Sequence, residues 1–126
     1  MNLSTRNKII LGAVTLIVLI NFVLIPTINR QRAANVVQTI LKLWIAEDYA
    51  SPLKHFYEPE KSPPVYGLQS YEIKNLSMIK ANGALTAKFS IILNFANKNI
   101  FPSGKLWLFE LQQLGRHWMV MKYYIL

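Results

Sequence analysis

Few side chains in this 126-residue sequence suit acid–base chemistry, and none of them forms a recognisable catalytic pair. An enzyme of this size needs a carboxylate, a histidine or a tyrosine whose pKa is shifted by its surroundings. The candidates are Asp48, Tyr49, Tyr71, Glu110, His117 and Tyr124. Glu47 and Asp48 are consecutive, so on a helix their side chains diverge by about 100° and cannot act together. We expect Asp48 to serve a helix end or a turn, and Glu110 to pair with a lysine or arginine on a strand surface.

The spacing of the residues does not indicate a metal site, a cofactor site or a nucleotide site. His55 and His117 are the only histidines, neither has a partner at metal-ligand spacing, and cysteine is absent. The five glycines form no phosphate-binding loop. Aromatic residues adjoin lysines at Lys88-Phe89 and Lys122-Tyr123-Tyr124, but the wide dispersion of the lysines favours core packing over stacking on nucleic acid. We predict no catalytic residue, no metal, no cofactor, and neither nucleic acid nor nucleotide as a partner.

The composition indicates one small folded domain and one apolar segment. Hydrophobic residues make up 52% of the chain and charged residues 16%, which excludes a disordered chain. Fourteen Lys and Arg against six Asp and Glu give a net charge of +8. This balance favours approach to anionic lipid head groups or nucleic acid without establishing either. The lysines stand singly along the sequence, so most are expected on solvated surface, and a basic patch assembled by the fold is not readable from their spacing.

Residues 9 to 28 are predicted to form a transmembrane helix behind a short tail, residues 1 to 8. Of the 17 residues from Ile9 to Ile25, 13 are Ile, Leu, Val or Phe and none is charged. With Ile28 the run reaches roughly 30 Å as an α-helix, the thickness of a hydrocarbon core. No signal-peptidase site follows, which favours an uncleaved signal anchor over a cleaved signal peptide. We predict a single-pass membrane protein with a cytoplasmic N-terminus and an extracytoplasmic domain.

Residues 29 to 126 are predicted to form one α+β domain. Apolar residues from Ala33 to Trp44 recur at i, i+3, i+4, i+7, i+8 and i+11, the pattern of a long helix with one broad apolar face. Ser51 followed by Pro52 suits the start of a second, short helix. The segment EPEKSPP at residues 58–64 contains three prolines and is predicted to be a connector.

A curved antiparallel sheet of about four strands is predicted after Gly67. The first strand runs over residues 71–80 and meets the second, residues 85–95, at a tight Asn82-Gly83 turn. The last two run over residues 105–113 and 117–125, around a turn centred on Gly115-Arg116. Both of these strands are apolar on both faces. Their alternation places two residues, Trp118 and Val120, opposite four others, Met119, Met121, Tyr123 and Ile125.

Two segments carry a family resemblance: AANVVQTILKLWIAEDYASPLKHF at residues 33–56 and GKLWLFELQQLGRHWMVMKYYIL at residues 104–126. With the hairpin between them, they resemble the NTF2-like superfamily, the cystatin-like α+β cone. The resemblance implies a long helix inside the concave side of the sheet and, often, dimerisation through the opposite face. The proline-rich stretch at residues 57–67 departs from many members and implies a shallow cone. The layout of tail, membrane helix and domain also resembles the VirB8-like assembly factors of secretion systems.

An apolar sheet face that one helix does not cover predicts a partner: a twin subunit, a larger complex or the membrane surface. We therefore predict a non-enzymatic, membrane-anchored accessory or assembly subunit, in contact with membrane lipid, that docks through its sheet face on other subunits of a membrane complex or forms a homodimer. The predicted partner-binding residues are Trp107, Trp118, Tyr123, Tyr124 and Asn21. Asn21 either lies wet near the membrane boundary or contacts another subunit's helix. Alternatively, the curved sheet and the short helix cover that face themselves.

A second functional hypothesis is small-ligand binding, or lyase or isomerase activity, inside an NTF2-like cone. This hypothesis uses Asp48 and His117 as the polar lining of the cone.

Overall fold

A computed structural model of the chain describes residues 5–19, 25–81, 83–96 and 101–126. The chain divides into two compact units, Met1–Gln31 and Arg32–Leu126. The helices are α1 (Thr5–Leu19) and α2 (Ile25–Ile45). The strands are β1 (Leu68–Ala81), β2 (Ala84–Phe95), β3 (Lys105–Leu114) and β4 (His117–Ile125), and they form one antiparallel sheet in the order β1-β2-β3-β4. The predicted α+β class and the four-stranded sheet are confirmed.

The structure contradicts the transmembrane helix predicted over residues 9–28. Helix α1 has 15 residues, so at 1.5 Å per residue it is about 22 Å long, whereas a hydrocarbon core is about 30 Å thick. A separate helix, α2, begins at Ile25, because Pro26 in its first turn is compatible with helix initiation. Over the described ranges, no helix is both long and apolar enough to cross a bilayer. The signal anchor and the single-pass localisation are contradicted with it, and Asn21 lies outside the described residues.

Within the second unit, the amphipathic pattern of α2 has the predicted effect. Its apolar face is buried, through Ala33, Val37, Ile40, Leu41 and Trp44. The helix ends where Glu47 adopts a positive φ of 63° and the Asp48 amide donates to the carbonyl of Leu43 at 2.9 Å. The predicted short helix is a single 3-10 turn, Ser51–His55, with Pro52 at its start.

The sheet follows the sequence pattern most closely in β2, where alternate side chains from Ala87 to Phe95 are buried. The blurred alternation of β1 has a structural cause, since Gln69 and Lys74 each lack a partner on β2 and mark two bulges. The β3–β4 turn at Gly115 has a φ of 63°, a conformation that favours glycine.

A third bulge corrects the predicted faces of β4. Leu111 pairs with Val120, but Glu110 pairs with Lys122, so Met121 is an extra residue without a partner on β3. Because one extra residue reverses the alternation, Tyr123 lies on the same face as Trp118 and Val120, contrary to the prediction.

The space between α2 and the sheet is filled by the protein's own side chains. Trp44 lies against Phe109 with ring centroids 6.3 Å apart, and Trp107 stacks on Tyr123 at 5.6 Å. Between Val37 on α2 and Val120 on β4 the packing leaves no room for a water molecule. Along β2 and β3 the opposite face carries half-buried residues of mixed polarity, among them Lys88, Ile92, Leu106 and Glu110.

Candidate anion-binding cleft

A cleft of about 580 Å³ lies where three segments of the second unit meet. Helix α2 contributes Arg32, the 3-10 turn contributes Lys54 and His55, and the β3–β4 connection contributes Arg116 and His117. The remaining walls are formed by Asn35, Val36, Trp118 and Met119. We call this cavity the basic cleft, because every ionisable residue that lines it is a base.

Local structure explains why these distant segments converge. Arg32, Asn35 and Val36 follow the i, i+3, i+4 spacing that places side chains on one side of a helix. The 3-10 turn is held at its start by Asp48, whose Oδ1 accepts hydrogen bonds from the amides of Ala50 and Ser51 at 3.2 and 3.0 Å. This confirms the predicted turn role of Asp48.

The other end of the 3-10 turn is fixed to the sheet. Phe56 forms a parallel bridge with Val120, and the Tyr57 amide donates to the carbonyl of Val120 at 3.0 Å. Lys54 and His55 are therefore held beside the first residues of β4. The tight turn at Gly115 brings Arg116 and His117 to the same place.

The positive charges of the cleft are not balanced within it. Arg32, Lys54 and Arg116 carry a fixed charge, and none forms an ion pair in the part of the chain that the structure describes. Asp48, whose carboxylate is coupled to Lys54, does not line the cleft. Its pKa is lowered mainly by the hydrogen bonds from Ser51, and the charge of Lys54 adds a smaller contribution.

Two aromatic nitrogen atoms at the cleft lack hydrogen-bond partners. His55 Nε2 and Trp118 Nε1 are buried, and no described atom bonds to either. An unsatisfied buried polar group costs about 1–3 kcal/mol. Burial lowers the pKa of His55, and the neighbouring Lys54 charge lowers it further, so the neutral imidazole is favoured in the ligand-free protein.

This arrangement suits electrostatic recognition of an anion more than acid–base catalysis. The cleft offers guanidinium, ammonium and imidazole groups, and its lining includes no carboxylate to act as a paired base. Across the described ranges, no group of three or more metal-ligating side chains forms.

The predicted partner-binding aromatics do not come together on one surface. Trp107 and Trp118 belong to the core, with exposures of 0% and 3%. Tyr123 is half-buried against Trp107, whereas Tyr124 is 45% exposed and lies on the opposite face, paired with Leu108. Of the four aromatic residues, only Trp118 lines the basic cleft. Because both tryptophans are buried, a partner protein can contact only the two tyrosines directly.

The residues proposed for catalysis are also separated. His117 lines the basic cleft, but Asp48 does not, so the structure does not combine them as one polar lining. Glu110 pairs with Lys122 at 3.5 Å, which confirms its predicted surface role.

Sequence reasoning missed four residues of the cleft: Arg32, Lys54, His55 and Arg116. One signal was available, because the two histidines each follow a basic residue, in Lys54-His55 and Arg116-His117. That repetition marks two basic dipeptides, but it does not show that the fold brings them together.

Comparison of the chain with protein-family models, with curated proteins and with solved structures finds no match in any of the three. The resemblance to the NTF2-like superfamily therefore stays a prediction, and the basic cleft is interpreted from its own geometry.

Proposed function

We propose that the second unit is a non-catalytic domain that binds a small anionic ligand in the basic cleft. The observation that carries this proposal is the grouping of three fixed cations without a lining carboxylate. Arg32, Lys54 and Arg116 are all solvent-exposed, so their mutual repulsion is partly screened, but it still acts across the cleft that they share. An anion that enters the cleft replaces this repulsion with attraction.

The dimensions of the cleft agree with this proposal. Its volume of about 580 Å³ falls within the range of roughly 300–1,000 Å³ that is typical of small-molecule sites. Val36, Trp118 and Met119 give it an apolar wall, so a ligand with a nonpolar part beside its charged group fits both surfaces.

The proposed ligand site is the basic cleft and not the centre of the predicted cone. Because Val37, Phe109 and their neighbours fill the space between α2 and the sheet, that interior offers no room for a substrate. An NTF2-like relationship is compatible with the proposal and is not required by it.

Isothermal titration of the full-length chain with sulfate, at constant ionic strength, tests the proposal. Arg116→Gln should weaken binding about tenfold or more, because a hydrogen bond to a charged group contributes about 1.5–3 kcal/mol. Lys61→Gln is the matched control, since Lys61 lies outside the cleft and already pairs with Glu58. Equal binding by both variants, or no sulfate binding beyond that of chloride, would contradict the proposal.

Docking of an accessory subunit through the open sheet face is a second candidate function. Ile92 pairs with Leu106 and Leu108 with Tyr124 on that face, and none of these four side chains is buried. Their proximity favours contact with another protein chain. A Leu108→Lys variant that remains folded should lose any self-association or complex seen by sedimentation. If the unsubstituted protein sediments alone, or the variant behaves identically, this candidate fails.

A further inference from the structure

Charge and geometry narrow the class of anion that suits the basic cleft. Two arginines and one lysine supply three fixed positive charges, which a single carboxylate neutralises only in part. The planar guanidinium of Arg32 or Arg116 can bond two oxygens of a tetrahedral anion at once. A doubly charged group with several terminal oxygens therefore matches the cleft better than a monocarboxylate does.

The histidines add a variable charge to the same site. A protonated imidazole donates through both ring nitrogens, so protonation of His55 raises the charge of the lining from three to four. His55 and His117 are the only histidines in the chain. No other lining residue changes its charge between pH 5 and 8.

We propose that the ligand of the basic cleft carries a phosphate-type dianion, and that His55 takes up a proton when it binds. This inference rests on the proposed anion-binding function, and it adds the chemical class of the ligand and the sign of its pH dependence.

The groups that face His55 determine that sign. Lys54 is its neighbour in the 3-10 turn, Arg32 approaches from α2, and Arg116 and His117 approach from the β3–β4 connection. All are bases, and the acid that is coupled to Lys54, Asp48, does not line the cleft. In the empty cleft burial and the charge of Lys54 oppose protonation of His55, whereas a bound dianion favours it. Affinity for a dianion should consequently rise as the pH falls.

Sulfate is the better probe of proton uptake, because its charge does not change over the relevant pH range. A phosphate monoester loses its second proton near pH 6, so its own titration opposes that of His55. Titration calorimetry at constant ionic strength, between about pH 8 and pH 5.5, separates the two effects. We expect sulfate affinity to increase about tenfold over this range, the equivalent of one pKa unit of coupling.

Acetate and the histidine variants make the test specific. At pH 7, phosphate and sulfate should bind about tenfold more tightly than acetate, as one additional charge contact predicts. His55→Gln should reduce the pH dependence of sulfate binding more than His117→Gln does. Circular dichroism establishes that each variant is folded, and His55→Asn replaces His55→Gln if that variant is not.

The possible outcomes separate this inference from the proposed function. If no anion binds more tightly than chloride, the anion-binding function fails. If anions bind, but acetate equals sulfate and the affinity does not change with pH, the function survives and this inference is overturned.

The same phosphate group occurs on free metabolites and on lipids, and two further probes distinguish these sources. Binding of glycerol phosphate in solution, lost in Arg116→Gln, supports a free ligand. Binding to vesicles that contain phosphatidic acid, lost in the same variant, supports a lipid head group. Failure of both probes overturns the inference.

Discussion

Two clefts of similar size border β4, and they differ in how their charges are balanced. The basic cleft has a volume of about 580 Å³, and a second cavity of about 640 Å³ lies between residues 56–62 and the next part of β4. We call the second cavity the paired cleft. Its charged lining residues are Glu58, Glu60, Lys61 and Lys122.

In the paired cleft the protein supplies its own counter-charges. Lys61 Nζ lies 2.6 Å from Glu58 Oε2, and Lys122 Nζ lies 3.5 Å from Glu110 Oε2. The hydrogen bond to Glu58 raises the pKa of Lys61, and contacts with Tyr124 and Glu110 raise the pKa of Lys122. Among the described residues, Arg32, Lys54 and Arg116 form no ion pair of this kind, and Lys54 has only a weak coupling to Asp48. The comparison shows that unbalanced charge, and not cavity volume, distinguishes the candidate site.

The largest expected effect concerns the wall of the basic cleft. Trp118 is both a core residue and a lining residue, so Trp118→Ala should lower the free energy of unfolding by about 3–5 kcal/mol. Tyr124 is exposed on the same strand, so Tyr124→Ala should change the free energy of unfolding by less than about 0.5 kcal/mol. Urea denaturation measures both. Equal losses would show that these aromatics have equivalent environments, against the burial described above.

A single carboxylate should make the basic cleft resemble the paired cleft. Asn35→Asp adds a negative charge one helical turn from Arg32, and we expect sulfate affinity to fall about tenfold, or 1.4 kcal/mol. Ser62→Asp adds the same charge to the lining of the paired cleft and should leave sulfate binding unchanged. Titration calorimetry on both variants measures the contrast, and equal affinities would remove the distinction between the clefts.

The pH dependence of stability provides a smaller effect. Because burial lowers the pKa of His55 in the folded protein, folding favours the neutral imidazole. Its contribution to stability is complete above the ordinary histidine value of 6.5. It is lost as the pH falls through that value, and the loss levels off below the lowered pKa of the folded state.

Urea denaturation at several pH values measures this loss. His55→Gln should flatten the profile around pH 6, and sulfate should reduce the loss in the unsubstituted protein. A profile that His55→Gln leaves unchanged would mean that His55 does not titrate differently on unfolding.

The smallest expected effect comes from removing a carboxylate from the paired cleft, so that its charge becomes more like that of the basic cleft. Glu58→Gln removes the ion-pair partner of Lys61, but Glu60 still lines the paired cleft and acts on Lys61, so we expect a second sulfate site more than about tenfold weaker than the basic cleft. Glu72→Gln is the control, since it releases Lys74 from an ion pair outside both clefts. A gain of binding in both variants would indicate a general charge effect.

The parts of the fold that depend on local pattern were predictable. The apolar spacing of α2, the alternation of β2 and the glycine turn at Gly115 each specify a conformation within a few residues. Asp48 and Glu110 also took their predicted local roles. These features depend on neighbours in sequence or directly across a hairpin.

The errors arose where one residue has effects beyond its neighbours. The bulge at Met121 reverses the faces on which Tyr123 and Tyr124 lie. A methionine at that position is not a sequence signal for a bulge. The transmembrane prediction included Pro26 in one long span, although proline is equally compatible with the first turn of a new helix.

The basic cleft was beyond sequence reasoning for a different reason. Whether a charge is balanced depends on distances between segments, here between α2, the 3-10 turn and β4. Lys54 and Lys61 look alike in the sequence, but one lines a cleft without acids and the other lies beside Glu58.

Nuclear magnetic resonance of the two histidine side chains tests the central claim most directly, because both imidazoles line the basic cleft and the chain has no others. On addition of sulfate at constant ionic strength, both sets of imidazole signals should shift, and the titration midpoint of His55 should move to higher pH. Signals and midpoints that stay the same in saturating sulfate and in chloride would contradict anion binding in the basic cleft.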